Sequence, residues 1–281
     1  MAGVSTKEIK SRIRSMSSTR QITKAMEMVA ASKLRKAQAK VNMSRPYFET
    51  LYNAIQDILA INHDLSSPYL IRRPTDKLLY VVIAGDRGLA GGYNSNLLKM
   101  VTAEITGKDV TVLPIGKKAI DYFRAREFPL LNTNYVEAED VGVGDCFTLA
   151  SGLAKAYLSG EFDEIRIAYT DFVSVLSQVP TSLTLLPLEK QERNEAVSQE
   201  ADILYEPDSV EAFGAIVPEY LGGVLYGALC ESRASEQAAR RTAMEAATQN
   251  AEDMIADLSL AYNRVRQSAI TQEITEIIAG S

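Results

Sequence analysis

Apolar positions recur at helical spacing over both ends of the chain and at strand-like density in its middle. Ile9, Ile13 and Met16 fall at i, i+4, i+7, and the same frame resumes at Ala30, Leu34, Ala37 and Val41. Between them the frame holds Arg20, Thr23 and Glu27, poor core residues, while the apolar Ile22, Met26 and Val29 sit on another face. This predicts a coiled-coil stripe interrupted by a segment that is apolar away from its own seam. Two readings stay open: a helix buried on two sides by its own chain, or residues 22–29 facing a second partner. From Lys7 to about Ile61 the only proline is Pro46, and no glycine follows Gly3. A single N-terminal helix is therefore expected within residues 1–61.

The other end behaves in the same way. Met244, Ala247, Ala251, Met254, Leu258, Ala261 and Val265 follow 3/4 spacing, a coiled-coil frame. Alanines at 234, 238, 239, 243, 246, 247 and 251 permit close approach of a neighbouring backbone. The obvious neighbour is the N-terminal helix, paired antiparallel. Past Val265 the frame holds Ser268 and Gln272, while Ile270, Ile274 and Ile277 move to a new face. The first helix is expected to be too short to cover these last turns, so an apolar tip protrudes, and large exposed apolar patches mark interaction sites. Ala228–Ala279 contains no glycine or proline, and a C-terminal helix is expected within 208–281, with Pro218 kinking it or starting its continuous part. Some 70 helical residues at about 1.5 Å each would span about 105 Å.

The middle, residues 75–190, alternates strand-like and helix-like segments. Leu78–Ala84 reads as a buried strand, followed by a glycine-rich loop over Gly85–Gly92 and a helix from about Asn94 to Ile105. Val110–Ile115 is a second strand, Lys117–Glu127 a helix, and a further helix covers about Cys146–Leu158. Two β-rich runs follow, Glu164–Ser174 and Pro180–Leu188. Strands separated by helices imply a Rossmann-like, doubly wound, mainly parallel sheet, with the last strand antiparallel. The fold class is thus α/β: this domain plus a long antiparallel coiled coil of the terminal helices. Residues 189–208 form an acidic return with seven acids and two bases.

Charge changes the picture more than composition does. The net charge of −6 conceals a basic arm: residues 1–45 hold eleven Lys/Arg against two acids, a net +9, leaving −15 for the rest. Basic arms bind nucleic acid, membranes or acidic protein partners. Here no aromatic residue precedes Tyr47, so the stacking platform of single-strand binders is missing. No run approaches 18 consecutive apolar residues, so no membrane span is expected, nor a secretory leader. Cys146 and Cys230 are isolated and form no CxxC, which suits a reducing, cytosolic setting.

Candidate chemistry is sparse. Gly85-Asp86-Arg87-Gly88-Leu89-Ala90-Gly91-Gly92 stands between a strand and a helix, where glycines can cradle phosphate. It lacks GxGxxG spacing and the P-loop lysine, and it sets Asp86 where an anion would meet a carboxylate, so a structural turn is the stronger reading. His63 is the only histidine, too few for a metal site. No GxSxG occurs. Neither a catalytic residue, a cofactor site nor a metal site is expected. Three readings remain: a mechanical or scaffold subunit inserting a helical hairpin into a partner, a nucleotide-binding enzyme with helical arms, and a coiled-coil adaptor for nucleic acid.

Longer motifs point to a family. Ile22-Thr23-Lys24-Ala25-Met26-Glu27-Met28-Val29-Ala30-Ala31-Ser32-Lys33 resembles the N-terminal signature of the gamma subunit, the central stalk, of F-type ATP synthases. Asp86-Arg87-Gly88-Leu89 with Gly91-Gly92, Ser235–Arg240, and Ile270–Ile277 resemble its other landmarks in the right order, with Ala90 where many members have cysteine. The resemblance implies a non-catalytic rotary subunit that couples ion flow through a membrane c ring to ATP synthesis or hydrolysis in a hexamer of three α and three β subunits. It implies epsilon, delta and other subunits as further partners, no nucleic acid, and a peripheral, non-inserted position on the cytoplasmic side of a bacterial cell membrane. By motif position, Ile22, Met26, Val29, Arg240, Arg266, Gln267, Thr271 and Glu276 would contact β subunits. Ile270, Ile274 and Ile277 would lie in an apolar sleeve. Tyr205, Glu206 and Asp208 would form a foot near the c ring and epsilon.

Overall fold

The computed structural model describes residues 6–61, 65–74, 77–189 and 208–279. The chain divides into two compact units, one of Met1–Ser32 with Arg240–Ser281 and one of Lys33–Ala239. His63, Tyr205 and Glu206, and nearly all of the acidic 189–208 return, lie outside the described residues.

The larger unit is built on a four-stranded sheet of order β2-β1-β3-β4. Strand β1 (Leu78–Ile83) lies between β2 (Val110–Ile115) and β3 (Glu164–Phe172), parallel to both, and β4 (Gln178–Leu186) runs antiparallel along β3. The sheet is doubly wound. Leu79, Val81 and Ile83 face one core with Leu149 and Leu153 of α4 (Val143–Leu158), Ile55 and Ile58 of α1 (Thr6–Ile61), and Phe213, Val217 and Leu221 of α5 (Ser209–Ala279). Leu78, Tyr80 and Val82 face the other with Leu97 and Val101 of α2 (Tyr93–Ile105) and Ala119 and Phe123 of α3 (Lys117–Arg124). Burial on both faces is why β1 reads as an unbroken apolar run rather than an alternation.

Element boundaries moved by a few residues, each for a local reason. Helix α3 ends at Arg124 rather than Glu127, because Glu127 adopts a left-handed φ of 58° and the Phe128 amide turns back to the Phe123 carbonyl at 3.2 Å. Helix α4 begins three residues before Cys146, where the Asp145 carboxylate accepts from the Gly142 amide at 2.7 Å. Helix α5 begins at Ser209 and runs through Pro218. Its start is fixed by Asp208, whose Oδ1 accepts from the amides of Val210 and Glu211, both at 2.9 Å, an N-cap. The segment of α5 long and apolar enough to match a bilayer has a mean hydropathy of 1.3, and 56% of it is buried within the fold, as suits a core helix.

In the smaller unit α1 and α5 pair antiparallel. Thr248 Oγ1 donates to Thr23 Oγ1 at 2.8 Å, and Arg20 approaches Glu252 at 3.9 Å. The α1 stripe is therefore not interrupted at Thr23. Thr23 is buried in the seam and its polarity is answered by another buried threonine. On α5 the seam passes through Met244, Thr248, Ala251, Ile255 and Leu258, not through Met254, which is 50% exposed. The expected frame was one position off at alternate sites, because reading only apolar residues skipped Thr248.

Candidate partner-contact surfaces

Residues 22–29 of α1 do present an apolar face outside the seam. Ile22 is 58% and Val29 57% exposed, Met28 is equally open, and Met26 is half-buried. Beside them runs a groove of about 460 Å³ lined by Arg20, Lys24, Met28, Glu245 and Glu252, among others. Lys24 and Glu27 close an ion pair at 3.1 Å within it, a mostly exposed contact of small energetic weight. The mixed charge and shallow form suit a protein surface rather than a small molecule.

A second surface occupies the far turns of α5. From Arg266 to Ala279 every described side chain is exposed, Ile270, Ile274, Ile277 and Ile278 included, with Ile277 at 69%. The Thr23–Thr248 and Arg20–Glu252 pairings set Thr6, the first described residue of α1, level with about residue 266. The expected uncovered tip is thus present. Arg266, Gln267 and Thr271 share it, the last donating to the Gln267 carbonyl at 2.9 Å; the Glu276 side chain is outside the described residues. Arg240 is half-buried. The contact residues read from the sequence thus fall into two patches, separated by about 18 residues of α5, or about 27 Å of helix. Asp208 belongs to neither, and its carboxylate is spent on the α5 N-terminus.

The glycine-rich loop is a structural junction. Asp86 Oδ1 accepts from the amides of Ala138 at 2.8 Å and Lys117 at 3.3 Å, and Oδ2 from Glu139 at 3.2 Å. Backbone amides that could have cradled a phosphate thus converge on a carboxylate of the chain itself. Ser235 and Glu236, from the 235–240 motif, dock onto the same end of the sheet. A Cβ on Gly85 would lie 2.9 Å from the Glu236 carboxyl, Ser235 Oγ donates to the Thr170 carbonyl at 3.1 Å, and Ser232 Oγ lies 2.7 Å from the Tyr93 hydroxyl. Gly116 approaches so closely, at φ 94°, that any Cβ would overlap the Ala84 carbonyl.

The segment around Ala138 is pinned twice more. Arg233 Nε donates to the Ala138 carbonyl at 3.0 Å and Nη2 to that of Val141 at 2.8 Å. Lys33, the last residue of the N-terminal signature, meets Glu139 at 2.7 Å and holds that carboxyl below its ordinary range. Sequence reasoning missed these roles for Arg233 and Glu139, which carry no motif signal of their own. Burial pushes the Cys146 thiol up to about 12 and raises that of Cys230, so neither is poised as a nucleophile. Among the described residues, no group of three or more His, Cys, Asp or Glu could hold a metal ion.

Comparison with known proteins agrees with these features. A sequence model of the ATP synthase family matches residues 5–281. An ATP synthase gamma chain from Ruminococcus albus is 44% identical over 281 residues, covering 98% of this chain and 97% of the relative. A gamma chain from Acetobacterium woodii, described as sodium ion specific, is 40% identical over 298 residues, covering 98% and 97%. Among solved structures, a chain of the Euglena gracilis mitochondrial ATP synthase (OSCP/F1/c-ring, rotational state 3) superposes with a TM-score of 0.67 at 20% identity, covering 98% of this chain and 93% of that one. One from the central stalk and c ring of the Tetrahymena thermophila mitochondrial enzyme gives 0.60 at 24%, covering 80% and 99%.

Proposed function

This chain belongs to the gamma-chain family of ATP synthases, and from that premise we propose that its two exposed patches are the surfaces through which a rotary central stalk works on its neighbours. The chain is a subunit of an ATP synthase, a membrane-associated complex. In our reading it does no chemistry itself. The tip at Ile270, Ile274 and Ile277 turns inside an apolar sleeve of a hexamer of three α and three β subunits, with Arg266, Gln267, Thr271 and Glu276 contacting β. The face at Ile22, Met26 and Val29, with Arg240, meets a lever of a β subunit. The foot formed by Tyr205, Glu206 and Asp208 stands near a c ring and an epsilon subunit, delta and others completing the assembly, on the cytoplasmic side of a bacterial cell membrane.

The observation that carries the reading is the run of exposed isoleucines at the far end of α5, beyond the cover of α1. The mechanism follows from asymmetry. One helical pair has different faces, so it cannot offer the same contacts to three β subunits at once. Each nucleotide site is then biased toward a different conformation, by no more than the difference in contact energy between conformations. Turning the pair exchanges those biases among the sites. Ion movement supplies about 2.3 kcal/mol per elementary charge per 100 mV, so several charges must be accumulated as torque for each ATP.

Removal of the residues after Ile270 tests this. The truncated chain should lower hexamer stability or torque while leaving nucleotide affinity nearly unchanged. A truncated complex with normal stability and normal rotation would overturn the sleeve role.

A further inference from the structure

Within the larger unit a short irregular segment, residues 137–141, is bonded to three elements at once. The Asp86 carboxylate, on the loop after β1, accepts from the amides of Ala138 at 2.8 Å and Glu139 at 3.2 Å. Arg233 of α5 takes its carbonyls, Nε donating to Ala138 at 3.0 Å and Nη2 to Val141 at 2.8 Å. Lys33 of α1 holds the Glu139 side chain at 2.7 Å. The Asp140 amide closes the segment on itself by donating to the Glu137 carbonyl at 3.1 Å, and Ala138 and Val141 are buried. One strap thus joins the sheet to both long helices.

Its place along the chain gives this arrangement weight. The chain passes between the two units only along α1, at Ser32–Lys33, and along α5, at Ala239–Arg240. Lys33 is the first residue of the larger unit, and Arg233 stands less than about two helical turns before its last. A turning force carried by the chain from one unit to the other passes through these two positions.

We propose that Arg233, acting through residues 137–141, is a positioning residue for torque transfer, clamping α1 and α5 to the sheet where the force leaves the larger unit. The proposal rests on the rotary reading given above.

Apart from this clamp, α1 and α5 meet in the larger unit through Leu34, Val41, Cys230, Ala234 and Ala238. Apolar contact is non-directional, so it resists separation better than it resists sliding. Hydrogen bonds have an angle as well as a length to keep, and they oppose displacement along a surface. The Arg233 guanidinium is a rigid planar fork, here spanning two carbonyls. The Lys33–Glu139 pair is of another kind. Its side chains are 44% and 61% exposed, so it adds little stability, yet it ties α1 to the strap that already holds α5.

Ions pumped per ATP hydrolysed by the complete complex in lipid vesicles, set beside the thermal midpoint of the chain, test the clamp. Arg233→Ala should lower that ratio about threefold or more, the scale of one lost hydrogen bond, while hexamer assembly and ATP hydrolysis continue. Arg233→Lys keeps the charge without the fork and should recover little of the loss. Tyr157→Phe, which removes a 2.8 Å hydrogen bond to the Ile71 carbonyl elsewhere in the larger unit, controls for loosening alone and should leave the ratio unchanged. Lys33→Met and Glu139→Gln cut the same tie, so together they should lose no more than the worse of the two alone. Full coupling in Arg233→Ala, full recovery in Arg233→Lys, or equal uncoupling in Tyr157→Phe overturns the clamp, and compounded losses in the Lys33/Glu139 pair overturn its α1 side. Pumping by the unsubstituted complex on addition of ATP tests the rotary reading separately.

Discussion

Asp86 serves as the anion at a junction of three backbone amides, on a loop that resembles a phosphate cradle. Asp86→Ala would leave amides of Lys117, Ala138 and Glu139 unanswered. Hydrogen bonds to charged groups are worth about 1.5–3 kcal/mol each before exposure is discounted, so a loss of about 2–4 kcal/mol is expected in urea unfolding of the full chain. A loss below about 1 kcal/mol would mean that water replaces the carboxylate. Gly116→Ala should cost more, about 3 kcal/mol or above, because the position combines a φ of 94° with contact against the rigid Ala84 carbonyl. Poor soluble yield or a sharply lowered thermal midpoint would show it. The structural reading of Asp86 followed from the sequence, since a carboxylate in a glycine-rich loop repels the phosphate such a loop would hold. Its three partners did not, because two of them lie 52 and 53 residues away in an irregular segment with no periodicity to read.

At the scale of elements, the buried strands and intervening helices were visible in the sequence. Largely buried runs such as Leu78–Ile83 and Val110–Ile115 have few alternatives once a glycine turn closes each of them. Ends were less visible, because they are set by single hydrogen bonds: the Asp145 cap, the left-handed Glu127. The helix seam was half legible. A three-residue step from Ala251 put Met254 rather than Ile255 in the interface, and counting only apolar residues declared α1 interrupted at Thr23. In fact Thr23 and Thr248 satisfy each other, and Thr248 Oγ1 also lies 2.8 Å from the Met244 carbonyl. Replacing both by valine, which removes donor and acceptor together, should change stability by less than about 1 kcal/mol. Thermal unfolding of the double variant measures this, and a loss of several kcal/mol would show the hydroxyl pair to be a net stabiliser.

For the whole molecule, the two proposed contact patches carry separable tests. Met26 lies half-buried on the exposed side of α1, in the most basic part of a chain that is otherwise acidic. Met26→Lys should lower ATP-driven ion pumping while hexamer assembly proceeds, because a cation is placed on a proposed apolar contact at a half-buried position beside the seam. Unchanged pumping in the reconstituted complex would argue against a working contact there. Raising ionic strength should also weaken any contact resting on the net +9 of residues 1–45, since exposed charges are screened beyond about 8 Å at physiological salt. The tip patch, being apolar, should be far less sensitive. Its existence was readable in the sequence, because isoleucines outside the seam of a long helix have no neighbour within the pair.

The Thr23–Thr248 bond carries one more implication. Apolar seams are forgiving: two helices can creep past each other by a heptad, about 10.5 Å, and find similar grease on the other side. A matched pair of hydroxyls buried in that seam cannot be re-found after such a step, since each would meet hydrocarbon instead. It behaves as an index mark, so that a twist applied at one end of the pair reaches the other as rotation and is not dissipated as slippage.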